Sequence, residues 1–179
     1  IGALFNSVTA RTAGFSTYSL GEFSNAGLLA MIFLMFVGAS PGSTGGGIKT
    51  STLFALIQGI KTAATHTPGK AFHYSVPHGV FRKASVIAVM GISVIAVGTF
   101  MLCAFEPDIA IRDALFEMTS AFGTVGLTTG ITTGLCTASK LTSIVMMYIG
   151  RLGPLTIATL WYFTNGDRIK YPDGNIAIG

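Results

Sequence analysis

The chain has 179 residues, of which half are hydrophobic, only 10% are charged and 23 are glycine. Soluble globular domains carry about 25% charged residues, so this composition excludes an ordinary soluble enzyme, and its hydrophobicity excludes a disordered segment. The formal net charge is +4, but the basic residues are too few and too scattered to form a nucleic-acid-binding face. The composition therefore indicates a membrane protein, in which Cys103 and Cys136 are interpreted as free packing residues.

The first 60 residues predict a short helix, a strand and a broken membrane span. Residues 1–11 are apolar but too short to cross a bilayer, which indicates a re-entrant helix. Residues 26–60 are long enough, yet they carry A-S-P-G-S-T-G-G-G at their centre, and glycine and proline at that density end a helix. We therefore expect apolar half-helices at residues 26–38 and 48–60, separated by backbone that is buried in protein or lines a wet cavity.

Residues 61–82 form a polar connection. It holds Lys61, Lys70 and Arg82 but no acidic residue, which predicts a cytoplasmic position by the positive-inside rule. Three histidines there match no common metal-binding spacing, and we interpret them as solvated residues, with contact to a cytosolic partner as the alternative: His66, His73 and His78.

Residues 83–164 predict a complete unit made of a membrane span, a re-entrant helix, a strand and a second span. The predicted boundaries are 83–105, 112–122, 124–128 and 141–163. The loop after the first span is acidic, and it falls on the side opposite the basic connection, where negative charge attracts cations. The polar tail, residues 165–179, is then cytoplasmic.

The two halves of the chain contain an internal repeat. A-L-F-N-S-V-T-A-R-T-A-G-F-S-T (residues 3–17) returns as A-L-F-E-M-T-S-A-F-G-T-V-G-L-T-T (residues 114–129). Beyond a one-residue slip the copies align at an offset of 112, which pairs Thr12 with Thr124, Gly14 with Gly126, Met35 with Met147 and Gly38 with Gly150. Each copy is a short apolar helix, then T-x-G-x, then a long apolar segment. This order indicates duplicated structural units of the kind that membrane transporters use.

The T-x-G-x strands are predicted to bind cations through their backbone. Glycine tolerates a positive φ, which lets successive carbonyl oxygens point the same way and replace the hydration shell of an alkali cation. A single T-x-G-x is better explained as a turn, but two in matching contexts favour a selectivity filter. The predicted ion-binding residues are Thr12, Ala13, Gly14 and Phe15 in the first strand, and Thr124, Val125, Gly126 and Leu127 in the second.

Residues 39–50, A-S-P-G-S-T-G-G-G-I-K-T, are rich in glycine and have two interpretations. The phosphate-binding loop of an ATPase requires G-x-x-x-x-G-K-[ST], and here Lys49 comes one position too late. We interpret the segment instead as an intramembrane gate beneath the filter, with a passive break for packing as the alternative. The predicted gate residues are Gly42, Ser43, Thr44, Gly45, Gly46, Gly47 and Lys49.

Arg151 follows Gly150 inside an apolar stretch, at the position equivalent to Ala39 in the first copy. An arginine at that depth is costly and usually faces a cavity or a partner. We predict that Arg151 is an inner barrier to cations and hydrogen-bonds carbonyl groups of the glycine-rich loop. The alternative is an arginine at a helix end that extends to water.

These motifs resemble the Trk/Ktr/HKT superfamily of cation transporters, and most closely the membrane subunits (KtrB) of bacterial Ktr-type potassium uptake systems. The resemblance covers R-T-A-G-F-S-T, G-S-T-G-G-G-I-K-T, T-V-G-L-T, G-R-L-G-P-L-T and the tail K-Y-P-D-G-N-I-A-I-G. It implies an all-α membrane protein with four helix, pore-helix and helix units in pseudo-fourfold, potassium-channel-like symmetry around one pore. Residues 1–60 then belong to the third unit, with its broken helix, and residues 83–164 form the fourth.

The resemblance also implies partners and a location. Such subunits form membrane homodimers on a cytosolic ring of RCK-type nucleotide-binding regulatory subunits (KtrA-like), in the bacterial inner membrane, with Gly179 at the dimer contact. The chain begins inside a re-entrant helix and holds two strands where a pore needs four, so we expect it to be the C-terminal half of a longer polypeptide.

The predicted function is potassium uptake through a carbonyl-lined filter, without an organic cofactor and without enzymatic activity. The alternative is a sodium- or proton-coupled carrier with alternating access, which also uses repeats and broken helices. The predicted spans contain no acidic residue, which favours a channel-like pore. Preference for potassium over sodium depends on all four strands.

Overall fold

The computed structural model describes residues 2–65, 70–71, 74–75, 78–153 and 156. These residues are mostly helical. In chain order the elements are α1 (Gly2–Thr9), α2 (Asn25–Phe36), α3 (Thr50–Thr65), β1 (Lys70–Ala71), β2 (Tyr74–Ser75), α4 (His78–Phe105), α5 (Ile111–Gly123) and α6 (Thr137–Leu152), with single 3-10 turns at Leu20–Glu22 and Thr132–Gly134.

The span that the sequence divides at its glycine-rich centre is broken in the structure. The side chain of Ser24 accepts a hydrogen bond from the Gly27 N–H (3.2 Å) and caps α2, which then ends at Phe36. Val37 and Ile48 form a parallel bridge, and the Gly38 N–H donates to the Ile48 carbonyl at 2.8 Å. This bridge brings the two ends of an irregular loop together, so the end of α2 and the start of α3 lie next to each other.

The longest helix, α4, is the one that fits a membrane best. Within Gly79–Phe105 an 18-residue window has a mean hydropathy of 2.5, and within the described chain this is the one helix long and apolar enough to cross a bilayer. A shorter apolar helix is α2. Of the span expected at 141–163, the structure describes residues 141–153 and 156, and α6 ends at Leu152.

The polar connection, expected to be a loop, is partly described. It contains a minimal antiparallel pair, in which Lys70 faces Ser75 and Ala71 faces Tyr74. Two residues per strand are too few to pack a sheet, so the pairing leaves the helical architecture unchanged.

The core is organised around α5. This helix packs against α2, α4 and α6, and its Phe116, Met118 and Phe122 are fully buried. Phe122 stacks on Phe36 of α2 with ring centroids 6.2 Å apart. The C-terminal end of α5, where the second T-x-G-x sequence begins, is therefore held by packing from three helices.

Candidate functional site

The two T-x-G-x sequences adopt the same backbone pattern. We call residues 12–15 the first segment and residues 124–127 the second segment. Thr12 (φ 72°) and Gly14 (φ 76°) match Thr124 (φ 53°) and Gly126 (φ 90°). A positive φ is strained for a β-branched residue, and within the described chain these two threonines are the non-glycine residues that adopt it. Strain repeated at equivalent positions indicates a functional requirement on the backbone.

Each segment is fixed to the end of the helix before it by a hydrogen bond from the equivalent N–H. The Ala13 N–H donates to the Thr9 carbonyl at 3.1 Å, and the Val125 N–H donates to the Ser120 carbonyl at 2.9 Å. Helix carbonyls without an intrahelical partner are satisfied in this way. The repeat is therefore visible in the hydrogen bonds as well as in the sequence.

The two segments lie against each other. A Cβ atom on Gly14 would overlap the carbonyl oxygen of Val125, so only glycine fits there. Gly126 has no atom within 4 Å of the corresponding position. Both glycines need their positive φ, but Gly14 in addition permits the close approach of the two strands.

The first segment is supported by a threonine hydroxyl. Thr9 Oγ1 donates to the Phe15 carbonyl at 2.7 Å and accepts from the Phe15 N–H at 2.8 Å. The Phe15 carbonyl is therefore engaged by α1 in this structure. The ion-binding role of Phe15, like those of the other seven segment residues, stays a prediction.

The second segment is supported from farther along the chain. Thr132 Oγ1 donates to Glu117 Oε1 at 2.5 Å and lies 2.7 Å from Thr128 Oγ1, which accepts from the Gly130 N–H at 3.0 Å. Next to these hydrogen bonds is a cavity of about 410 Å³ lined by side chains of α5 and α6 and by the segment itself.

Asn6 and Glu117 are buried polar residues at the same place in the repeat, after A-L-F in each copy. They are 2% and 7% exposed. Both amide atoms of Asn6 and the Oε2 atom of Glu117 have no hydrogen-bond partner within the described chain. An unpaired buried polar group costs about 1–3 kcal/mol, so these positions need an explanation other than stability.

The glycine-rich loop, residues 39–47, lies against both threonines of the segments. The Gly46 N–H donates to Thr124 Oγ1 at 3.0 Å, and a Cβ on Gly46 would be 2.8 Å from Thr124 Cγ2. A Cβ on Gly45 would be 3.0 Å from Thr12 Cγ2. The loop therefore needs glycine where it contacts each segment.

Lys49 holds this loop in place. Its Nζ donates to the Gly45 carbonyl at 2.7 Å and to the Ser43 carbonyl at 3.0 Å. Arg151, which the sequence predicts to contact the loop, is exposed, and its side chain has no hydrogen bond or ion pair within the described chain. The role of Arg151 as an inner barrier stays a prediction. The basic side chain that contacts the loop in the structure is that of Lys49.

Sequence reasoning missed three residues that support the segments, Thr9, Glu117 and Thr132, and it also missed the unpaired Asn6, which holds the place of Glu117 in the first copy. Asn6 and Glu117 could have been found, because they are polar residues at equivalent positions in two otherwise apolar helices. Thr9 and Thr132 could not have been found, because no sequence pattern relates either threonine to the residue that it bonds.

The remaining predicted residues add little to the site. Cys103 and Cys136 are free, although Cys136 is exposed and caps α6 instead of packing in a core. No group of three or more metal-binding side chains occurs among the residues described. His78 is the first residue of α4, whereas His66, His73 and Gly179 lie outside the described residues.

The chain matches a family model and several named proteins. Residues 1–169 match the family model TrkH, described as cation transport protein. The chain is 36% identical over 179 residues to Ktr system potassium uptake protein B of Bacillus subtilis, covering 98% of this chain and 39% of that protein. It is 37% identical to the protein of the same name in Vibrio alginolyticus, covering 100% and 39%.

Two further matches are a potassium/sodium uptake protein and a solved structure. Potassium/sodium uptake protein NtpJ of Enterococcus hirae is 37% identical, with 98% of this chain and 40% of that protein covered. The crystal structure of the potassium transporter TrkH from Vibrio parahaemolyticus superposes with a TM-score of 0.73 at 23% identity, covering 90% of this chain and 37% of that chain. The chain thus spans about two fifths of the length of the relatives that it matches.

Proposed function

Because this chain belongs to the TrkH family of cation transport proteins, we propose that it is the part of a potassium uptake protein that carries two strands of a selectivity filter and the gate beneath them. The predicted family resemblance is confirmed by the family match and by the named potassium uptake relatives. The transported ion is a proposal, since the chain spans less than half of those relatives.

The observation that carries this proposal is the shared backbone of the two segments. Positive φ values at the threonine and the glycine alternate with ordinary φ values, so that successive carbonyl groups can line one side of a strand. The segments lie side by side, and each follows a short helix that points its C-terminal end at it. The negative end of a helix dipole stabilises a cation at such a position.

We assign the glycine-rich loop as the gate. It contacts the threonine that begins each segment, so an ion that leaves the strands on that side must pass it. Opening requires the loss of the Gly46 to Thr124 hydrogen bond and a movement of the carbonyls bound by Lys49. These are few and local interactions, which suits a segment that moves.

The larger assembly follows from the same proposal. Two more strands come from the rest of the polypeptide and complete a pseudo-fourfold pore of repeated helix, pore-helix and helix units. The protein is a homodimer in the bacterial inner membrane, with the connection 61–82 and the tail in the cytoplasm. The Ktr system names of the relatives support further subunits, for which a cytosolic RCK-type ring is our assignment.

The test is potassium-dependent growth and rubidium uptake of potassium-uptake-deficient bacteria that express the full-length parent protein. Gly14→Ser and Gly126→Ser each place a side chain on a positive-φ residue, and we expect both to reduce potassium uptake or shift it toward sodium. Gly134→Ser is the matched control, because its Cβ meets no atom within 4 Å and its φ is not positive. Unchanged uptake and selectivity in both segment variants contradicts the filter.

A coupled carrier is the second candidate, and Glu117 is the observation in its favour. The absence of acidic residues from the predicted spans argues against a carrier, but the structure buries this carboxylate beside the second segment. In everted membrane vesicles a pore predicts potassium movement without coupled proton movement. A fixed ratio of protons to potassium that Glu117→Gln abolishes is the result expected of the carrier.

A further inference from the structure

The two short helices place a buried polar side chain behind each segment, and only one of these side chains is connected to the chain beyond the segment. Glu117 Oε1 accepts from the hydroxyl of Thr132, which lies past the end of the second segment. Asn6, the equivalent residue in the first copy, has no side-chain partner in the described chain. The two copies therefore differ in what holds the C-terminal end of the segment, which we call its outer end.

Hydrogen bonds connect Glu117 through Thr132 and Thr128 to the end of the second segment. A hydroxyl has one proton, so when Thr132 donates to Glu117, the Thr128 hydroxyl must donate to Thr132. Thr128 follows Leu127 directly in the chain, and its Oγ1 also accepts from the Gly130 N–H. The position of Thr128 is therefore set by a carboxylate on the helix behind the segment.

The first copy cannot form this path. At the offset of 112 the residue equivalent to Thr132 is Leu20, which has no hydroxyl and is 2% exposed. Ser16, equivalent to Thr128, donates instead to the carbonyl of Tyr18. The support of the first segment comes from Thr9 alone among the described side chains.

We propose that Glu117, acting through Thr132 and Thr128, is a positioning residue that sets the outer end of the second strand and thereby the preference for potassium over sodium. This inference rests on the proposed function, since it concerns the selectivity of the proposed filter. These hydrogen bonds connect the end of the second segment to α5, which packs against three helices, so they resist the contraction that a smaller cation requires.

The experiment measures potassium uptake by the full-length parent protein in uptake-deficient cells. Its readouts are the KM for potassium, the Vmax, and the sodium concentration that halves uptake. We expect Glu117→Gln and Thr132→Val each to lower the preference for potassium over sodium by about fivefold to tenfold, with Vmax changed less than the preference. Thr132→Ser keeps the hydroxyl and is expected to retain the parental preference.

Two controls make the outcome specific. Thr133→Val changes the exposed neighbour of Thr132 and is expected to leave the preference unchanged. The double variant Glu117→Gln with Thr132→Val is expected to be no worse than either single change, because both break the same path. If Glu117→Gln does not accumulate in the membrane, Thr132→Val decides the matter alone.

The experiment distinguishes a failure of the role of Glu117 from a failure of the proposed filter. A parental preference in Glu117→Gln and Thr132→Val, while Gly126→Ser shifts it, overturns the role of Glu117 and leaves the proposed filter in place. Strictly additive effects of the two changes also overturn it. A parent protein that carries no potassium when expressed with its partner subunits overturns the proposed function and this inference together.

Discussion

The two T-x-G-x segments have the same backbone but different supports. Both have positive φ at their threonine and glycine, and both bond back to the preceding helix through the residue before the glycine. The first is held by a hydroxyl on its own short helix, Thr9, within six residues of Phe15. The second is held by Glu117 through side chains that lie beyond it in the chain.

A repeated backbone therefore does not require a repeated set of side chains. The proposed ring of carbonyl groups needs this backbone geometry in both copies, whereas different hydrogen bonds can fix it. Copies supported in different ways can be changed independently. That independence allows mutations to separate the roles of the two segments.

The largest effect is expected at Gly14. Gly14→Ala adds a methyl group that overlaps the Val125 carbonyl and also strains a positive φ, whereas Gly126→Ala adds only the strain, of about 1–2 kcal/mol. We expect Gly14→Ala to abolish potassium uptake at membrane levels equal to the parent, and Gly126→Ala to reduce it. Rubidium uptake beside quantitative immunoblotting measures this. Equal losses in the two variants contradict the close approach of the segments.

Gly150 is expected to give the next largest effect, on stability. Its Cβ would overlap the Phe122 carbonyl at the end of α5, and its equivalent in the first copy, Gly38, would overlap the Gly46 carbonyl. Overpacking of this kind costs about 1–3 kcal/mol. We expect Gly150→Ala to lower the Tm of the purified full-length protein, with Gly134→Ala unchanged as the control. An unchanged Tm in both variants contradicts the contact between α5 and α6.

Thr9→Val tests the support of the first segment. The change removes the Thr9 hydroxyl and leaves the N–H and the carbonyl of Phe15 without this partner, at a cost of about 1–3 kcal/mol. We expect lower potassium uptake and a lower preference for potassium over sodium, and Thr9→Ser is expected to restore both. If Thr9→Val and Thr132→Val have additive effects, the two supports act independently, as their separate hydrogen bonds indicate.

Lys49→Met tests the loop, with a smaller effect because Lys49 is half-buried. Loss of its two hydrogen bonds to the loop carbonyls destabilises the closed loop by about 1 kcal/mol, or about a fivefold rise in the open fraction. We expect higher basal uptake in cells that lack the proposed regulatory subunits. Lys61→Met, an exposed lysine on α3, is the matched control. Basal uptake equal to that of the control contradicts a holding role for Lys49.

The order of helices and the break between α2 and α3 could be predicted because they depend on local composition. Apolar runs form helices and a cluster of glycine and proline ends them, and both effects act within a few residues. The T-x-G-x segments could be found for the same reason, since the repeat is a property of the sequence. Their adjacency could not, because the close approach of Gly14 to Val125 joins residues from the two copies of the repeat, which are far apart in the chain.

The loop contacts show the same limit. Gly46 and Thr124 are 78 residues apart, and no periodicity relates them. Whether Lys49 or Arg151 contacts the loop depends on the rotation of α3 and α6 about their axes, which sequence patterns do not specify. The glycine-rich loop could therefore be identified as a break in a span, but not which residues hold it.

The smallest effect is expected at Glu106, in the loop between α4 and α5. The Cys136 N–H donates to Glu106 Oε1 at 2.6 Å, and this hydrogen bond holds the pKa of the Glu106 carboxyl below its usual range. A lowered pKa in the folded state means that the carboxylate stabilises the protein at neutral pH and that this contribution is lost as the pH falls through the lowered value. The same carboxylate lies near the N-terminal end of α6, where negative charge is favoured.

We therefore expect Glu106→Gln to lower the Tm of the purified full-length protein slightly at about pH 7, and to approach the Tm of the parent as the pH falls through the lowered pKa of Glu106, where protonation removes the charge from the parent as well. Asp108→Asn, an exposed carboxylate of the same loop without a side-chain hydrogen bond in the described chain, is the control. A difference between Glu106→Gln and the parent that does not shrink on acidification contradicts the assignment, because a charge that helps only when ionised cannot act below its pKa. Because Glu106 contacts neither segment through a hydrogen bond, rubidium uptake by Glu106→Gln is expected to keep the parental preference for potassium, which separates the anchoring of α6 from the support of the second segment.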